Sequence, residues 1–379
     1  MLDKKRFLAL GAAGVAGATL LAACGGSGGS SATPPDPLAK APEKVLMTWF
    51  GITNWHYQIG DKGVLLDGEV VNGGRSPNVD AVTKAHKALT EVKDQPRSID
   101  VILLGHIHPD HSIQIPEWAK QTGKTVYGPP AICNAITSYG LPAEQCVGLK
   151  GGEVIKLDEF SEIHAVRWNH SVSCGAFSNG VTGPETFGFL FVVQTRSGKK
   201  VNWYVSDSGA GGPDLTAPRV VTTTENGVQK TITYGSPIAN LTEAMKKAGV
   251  TALDVWQGGP ESRMVYQART VVPLYGVKLF MPHHLNARAA QRQGFSLEYG
   301  MHYAYSEDDQ PKLKEFLSTV GVPQVWPTNY FDAWTFDADG VKVASNAEMK
   351  AVYGLPATGP GPGTQYPNPR AGDLECDYD

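Results

Sequence analysis

The sequence predicts an α/β protein built as an αββα sandwich, two mixed β-sheets face to face with helices on the outside. Two observations carry this. β-Branched and aromatic runs open the chain, and strand-like and helix-like segments then alternate twice along it. Residues able to bind a metal collect where apolar runs stop, at the carboxyl ends of expected strands, which is where α/β proteins place their sites.

The elements follow in order. Residues 44–50 read as a strand broken by Gly51. A second strand, 55–59, turns at 61–63 into a returning strand, 64–67, to make a hairpin. Over 79–92, Val79, Val82, Ala85, Leu89 and Val92 fall near helical spacing with polar residues between, an amphipathic helix. The run 101–104 is a short buried strand ended by Gly105. A helix begun by proline follows at 116–120, then a strand at 124–127 and a short helix at 130–139. Strands come next at 153–157 and 162–168. The run 187–195 is a strong strand that turns at Ser197-Gly198 into 200–205, and helices follow at 241–248 and 261–274. Residues 210–234, rich in Gly, Pro and Thr, read as an irregular insertion placed to form a flap over a site.

The ends of the chain carry different signals. Lys4-Lys5-Arg6 precedes an apolar Ala/Gly-rich stretch, 7–21, too short for a comfortable membrane span. Leu21-Ala22-Ala23-Cys24 then matches a bacterial lipoprotein processing box, so 1–23 read as a signal peptide and Cys24 as the lipidated residue. Residues 24–43 are a flexible tether, 44–355 the folded domain, and 356–379 an irregular Pro/Gly-rich acidic tail. The expected location is outside the cytoplasm, with a membrane as partner through the lipid on Cys24.

A net charge of −4 supplies no basic field, so no nucleic-acid partner is expected. Of the five cysteines, Cys133, Cys146, Cys174 and Cys376 remain once Cys24 is assigned to lipid, an even number for an oxidising compartment. The short loop between Cys133 and Cys146 favours that pair, although four cysteines allow three pairings.

The most informative stretch is His106-Ile107-His108-Pro109-Asp110-His111, directly after the strand at 101–104. Three imidazoles and a carboxylate within six residues are the ligand types of zinc and its first-row neighbours.

The pattern H-x-H-x-D-H resembles the signature of the metallo-β-lactamase fold superfamily. The resemblance implies further ligands at later strand ends, and His170, Asp207 and His284 stand there in order. His164 competes with His170, but it lies at the start of its strand rather than the end. His283 competes with His284, which the superfamily's Pro-x-His pattern selects, leaving His283 as a supporting residue or a proton donor to the leaving group. The opening hairpin, with a strand ending in Asp67, resembles the L-ascorbate-6-phosphate lactonase-like branch. It departs from that branch in having Ile52, not His, after Gly51.

The implied site holds two divalent ions, zinc first, with manganese and iron as alternatives. His106, His108 and His170 would hold one ion and Asp110, His111 and His284 the other, with Asp207 bridging. Two ions about 3.5–4 Å apart lower the pKa of a shared water towards neutrality. The expected activity is hydrolysis of an ester, lactone or amide-like bond in a small-molecule substrate, with Asp110 essential. A phosphodiesterase of the same fold or a noncatalytic ligand-binding lipoprotein are the alternatives. Asp at 207, where broad-spectrum β-lactamases carry Cys, and an intact His108, where a flavin-partnered di-iron branch has Glu, both favour hydrolysis. Among other residues, His86 reads as solvated surface and His56 as surface or site mouth. Trp55, Tyr57, Tyr303, Trp326 and Tyr330 read as pocket walls or core.

Overall fold

A computed structural model describes residues 36–68, 76–93, 95, 97–170, 184–206, 213–225, 227–258, 264–287, 301–303 and 309–359. The expected signal peptide and lipidated Cys24, together with Cys174, Asp207, Cys376 and residues 360–379, lie outside the described residues.

Within the compact unit Leu38–Asp379, two mixed sheets pack face to face with helices outside, the αββα arrangement. One sheet has eight strands in the order β18 (Gly340–Ala344), β17 (Ala333–Asp337), β1 (Val45–Gly51), β2 (Asn54–Ile59), β3 (Lys62–Leu66), β4 (Val101–Leu103), β5 (Val126–Gly128) and β6 (Cys146–Gly148). Its β3–β6 half is parallel. The other sheet runs β14 (Phe280–Pro282), β13 (Val255–Gly258), β10 (Lys200–Val205), β9 (Glu185–Gln194), β8 (Ser161–Asn169) and β7 (Val154–Lys156). Strand β9 is antiparallel to both neighbours, and β13 and β14 run parallel to β10. Strands β8, β10, β13 and β14 therefore all point the same way, and their carboxyl ends meet one edge of the molecule.

Aromatic side chains fill the space between the sheets. Tyr57 of β2 meets Phe191 of β9 at 4.9 Å and Trp203 of β10 at 5.3 Å, and those two rings stack at 4.5 Å. Such pairs add about 0.5–1.5 kcal/mol each beyond the area they bury. The Tyr57 hydroxyl donates across the interface to Gln257 Oε1 of β13 at 2.5 Å, so a buried polar pair also fixes how the sheets sit on each other.

Local signals set the helices. Helix α1 (Val79–Thr90) begins where Asn78 accepts a hydrogen bond from Ala81 N, and it buries Val82, Ala85, Ala88 and Leu89. Two short helices, α2 (Pro109–Ser112) and α3 (Ile115–Thr122), follow β4, each with proline in its first turn. Helix α4 (Pro130–Ser138) carries Cys133, which is disulfide-bonded to Cys146 of β6, the pairing favoured by the short loop. The insertion holds α5 (Pro213–Thr216). Helix α6 (Pro237–Ala248) starts four residues earlier than the apolar pattern indicates, because Ser236 caps it and Pro237 occupies its first turn. Helices α7 (Met264–Tyr275), α8 (Asp309–Thr319) and α9 (Ala347–Val352) complete the set among the described residues, and β15 (Leu285–Ala287) pairs antiparallel with β16 (Met301–Tyr303). None of these helices is long and apolar enough to cross a membrane.

The expectation of an irregular 210–234 is corrected. After α5, strands β11 (Arg219–Glu225) and β12 (Val228–Tyr234) form a seven-pair antiparallel hairpin. The reason lies in composition. The Val- and Thr-rich strands lack an apolar alternation but have high β propensity, and Asn226-Gly227 is a hairpin-turn sequence.

Candidate metal centre

The His-rich stretch leaves the end of β4 through Leu104 and Gly105 and enters α2, with His108 at the cap position and Pro109 starting the helix. This one turn points His106 and His108 to one side and Asp110 and His111 to the other. Strand β8 ends at Asn169, so His170 arrives from the opposite sheet. Strand β14 ends at Pro282 and brings His284.

Two ligand groups result. In the first, the donor atoms of His106, His108 and His170 lie within 4.8 Å of one another. His106 Nε2 and His108 Nδ1 are 2.9 Å apart. In the second, Asp110, His111 and His284 satisfy the same 4.8 Å limit. Asp110 Oδ2 is 3.5 Å from His111 Nε2 and 3.8 Å from His284 Nε2. The His106 and His111 rings, 4.0 Å between centroids, join the two groups.

The donor chemistry fits a first-row divalent ion. Five imidazoles and one carboxylate, with no thiolate, form the two groups. Two nitrogens bound tetrahedrally at about 2.0–2.1 Å sit roughly 3.3 Å apart. The spacings within both groups are of that order. Burial pulls the Asp110 carboxyl upward, but the neighbouring imidazoles of His111, His284 and His106 outweigh it. The carboxyl is held well below the usual carboxylate range, ready to bind a cation.

Asp67, the acidic residue at the end of the opening hairpin, supports this centre. It follows β3, is buried, and has a left-handed backbone with φ 60°. Its Oδ1 accepts from Gly105 N at 2.8 Å, and its Oδ2 lies 2.8 Å from His111 Nδ1 and accepts from the Thr53 hydroxyl. A buried carboxylate needs such donors. In return it holds the proton of His111 on Nδ1 and leaves Nε2 to face Asp110. The available clue was an acidic residue ending the apolar strand 64–66.

Other candidates fall elsewhere. His164 pairs with Glu162 at 3.0 Å along β8, away from both groups. The reading of His283 as a proton donor is corrected. It is fully buried, its Nε2 donates to Ser206 O at 2.8 Å, and its Nδ1 accepts from Trp55 Nε1 at 3.2 Å. Both ring nitrogens are committed inside the protein, so His283 anchors the end of β10, next to Asp207, instead of facing a substrate. His56 is neither surface nor site mouth. It is wholly buried against Ser98 O at 2.7 Å, and burial lowers its pKa to about 3. His86 is half-buried, its ring edge-on to Trp118 at 5.7 Å. Trp55, Tyr57 and Tyr330 belong to the core, Trp326 packs partly buried against it, and the Tyr303 side chain lies outside the described residues.

Residues 76–221 match the β-lactamase superfamily domain, a span that holds the His-rich stretch, His170 and Asp207 and stops before His284. A UPF0173 metal-dependent hydrolase of Polynucleobacter asymbioticus is 29% identical over 200 residues, covering 51% of this chain and 65% of the relative. One from Myxococcus xanthus is 30% identical over 170 residues, covering 43% and 54%. The chain thus spans less than two thirds of the length of these curated relatives. Among solved structures, Igni18, a metallo hydrolase from Ignicoccus hospitalis, is 16% identical with a TM-score of 0.47, covering 77% of this chain and 98% of its own. YhfI of Bacillus subtilis, a metallo-β-lactamase fold protein, is 13% identical with a TM-score of 0.44, covering 77% and 99%.

Proposed function

We propose that this chain is a metal-dependent hydrolase of the metallo-β-lactamase fold with a dinuclear centre. The observation that carries the reading is the convergence of six ligands in two groups at strand ends drawn from both sheets. The names of the sequence relatives, metal-dependent hydrolases, agree with it. His106, His108 and His170 would hold one ion and Asp110, His111 and His284 the other, and Asp207, outside the described residues, is the seventh ligand of this proposal. The opening hairpin that ends in Asp67 favours the L-ascorbate-6-phosphate lactonase-like branch. The bond cleaved is an ester, lactone or amide-like bond of a small molecule.

When bound, zinc or a related ion supplies Lewis acidity and a water activated near neutral pH. The chain's own residues do the rest. Asp110 stays ionised at neutral pH, so it acts as a ligand and hydrogen-bond acceptor, not as an acid. Asp67 keeps His111 in one tautomer and one orientation. His283, held between Trp55 and Ser206 O, steadies the strand end that leads to Asp207.

The proposal extends to location, a lipid anchor on Cys24 outside the cytoplasm. The Cys133–Cys146 disulfide supports an oxidising compartment.

Elemental mass spectrometry on the purified full chain, followed by a substrate screen, tests the function. Near two ions per chain, with turnover of lactones or esters faster than of bis-p-nitrophenyl phosphate, supports the reading. Preferential phosphodiester cleavage replaces the substrate class. A folded, metal-free and inactive protein overturns the hydrolase reading in favour of ligand binding.

A further inference from the structure

We infer that Thr53 is a positioning residue that builds the second metal position and leaves the first alone. The inference rests on the dinuclear reading above. Thr53 follows β1 in a short segment between β1 and β2, and it is 1% exposed. Its hydroxyl touches two groups at once, Asp67 Oδ2 and, at 2.6 Å, His111 Nδ1. His111 Nδ1 is itself 2.8 Å from the same Asp67 oxygen. Three polar atoms therefore share one contact and have two protons between them.

Only one arrangement of those protons avoids opposing lone pairs. Asp67 Oδ2 accepts from both the Thr53 hydroxyl and His111 Nδ1–H. Were Nδ1 bare, Thr53 could donate to only one partner, and a nitrogen lone pair would face the carboxylate at hydrogen-bond distance. The hydroxyl fixes which way the Asp67 carboxylate turns, and the carboxylate fixes the His111 ring, leaving Nε2 toward Asp110. All three side chains are buried, so bulk water does not replace a lost hydroxyl.

The residue before Thr53 reaches the same metal position by a second route. Ile52 O accepts from His284 N at 2.9 Å. The dipeptide Ile52-Thr53 thus holds two of the three ligands of the second group, His111 through a side chain and His284 through its backbone. Both side-chain contacts of the Thr53 hydroxyl, Asp67 Oδ2 and His111 Nδ1, lie on the side of the second group.

The test is calorimetric titration of zinc into the chelator-treated full chain, for the wild type, Thr53→Val and Thr53→Ser. Thr53→Val keeps the side chain's shape and removes the hydroxyl. We expect two ions in the wild type. In Thr53→Val one ion should bind unchanged and the other roughly 10–100-fold more weakly, the usual effect of losing a group that orients a ligand. Thr53→Ser should restore it, and circular dichroism should show the metal-free Thr53→Val protein still folded at the titration temperature, although less stable than the wild type for the lost buried hydrogen bond. Equal weakening of both ions, or of neither, overturns the role of Thr53 while leaving two wild-type sites intact. A wild type that binds fewer than two ions overturns the dinuclear reading and this inference with it.

Discussion

Ile52 and His284 both have left-handed backbones, φ 49° and 59°, and are joined by a hydrogen bond from His284 N to Ile52 O of 2.9 Å. Such a conformation is unusual for any residue but glycine and more so for a β-branched one. Ile52 O also accepts from Trp49 Nε1 at 2.9 Å, so the strained carbonyl has two donors. Asp67, the carboxylate behind His111, is left-handed as well. Backbone strain gathers where one sheet reaches the ligands delivered by the other, as expected for a site whose surroundings hold it in place.

Gly51 sets the entry to this segment. Its φ is 102°, and a Cβ there would lie 2.6 Å from Tyr330 Cε1, on a ring already stacked on Trp49 at 5.6 Å. Gly51→Ala is expected to destabilise the fold by about 2–4 kcal/mol through backbone strain and overpacking. Chemical denaturation measures this. A loss under about 1 kcal/mol would mean that Tyr330 moves aside freely.

Asp110 belongs to the second group of candidate ligands, not to the core, and its side chain is 28% exposed. Asp110→Asn should lower hydrolysis at least ~100-fold with the folding free energy changed by no more than about 1 kcal/mol. Steady-state rates and a denaturation curve on the same preparation decide it. Retained activity would remove Asp110 from the mechanism.

His56 makes stability depend on pH. Burial, opposed by the Ser98 carbonyl and aided by Arg97, holds its pKa down at about 3 against 6.5 when unfolded. Above pH 6.5 the ring is neutral in both states and its contribution is constant. Between 6.5 and about 3 the unfolded ring gains a proton that the folded one refuses, so stability falls as pH falls. The loss should reach several kcal/mol at the acid end. His56→Gln should flatten this slope in the metal-free protein, and an unchanged slope would assign the acid sensitivity to other groups.

The Cys133–Cys146 bridge closes a loop with a sequence separation of 13. Removing it as the paired Cys133→Ser and Cys146→Ser variant should cost about 3 kcal/mol. The bridge lies in α4 and β6, away from both ligand groups, so zinc stoichiometry should not change. A fall in metal binding would show that the edge of the first sheet supports the site.

Some of this protein could be read directly from its residues. His106, His108, Asp110 and His111 are legible because a six-residue stretch brings its own ligands together by local geometry. His170 and His284 are legible because each follows an apolar strand, and the strand end fixes where the next side chain points. The long amphipathic elements, α1 and β9, carry strong periodicity. Strands β6, β13, β17 and β18 do not, because at three to five residues they are too short for a period to stand out.

The sequence by itself determined the layered α/β class, the strand-end placement of the ligands and the chemistry those ligands favour. The tertiary structure decided which histidine does what. Asp67 and Thr53 reach His111 from 44 and 58 residues away, and no local pattern encodes contacts made only when β2, β3 and α2 pack together. The same packing turned His283 inward onto Trp55, 228 residues distant, while its neighbour His284 faces Asp110. Side chains one residue apart leave a strand end in different directions, and which one meets the ligand group depends on what the opposite sheet places there.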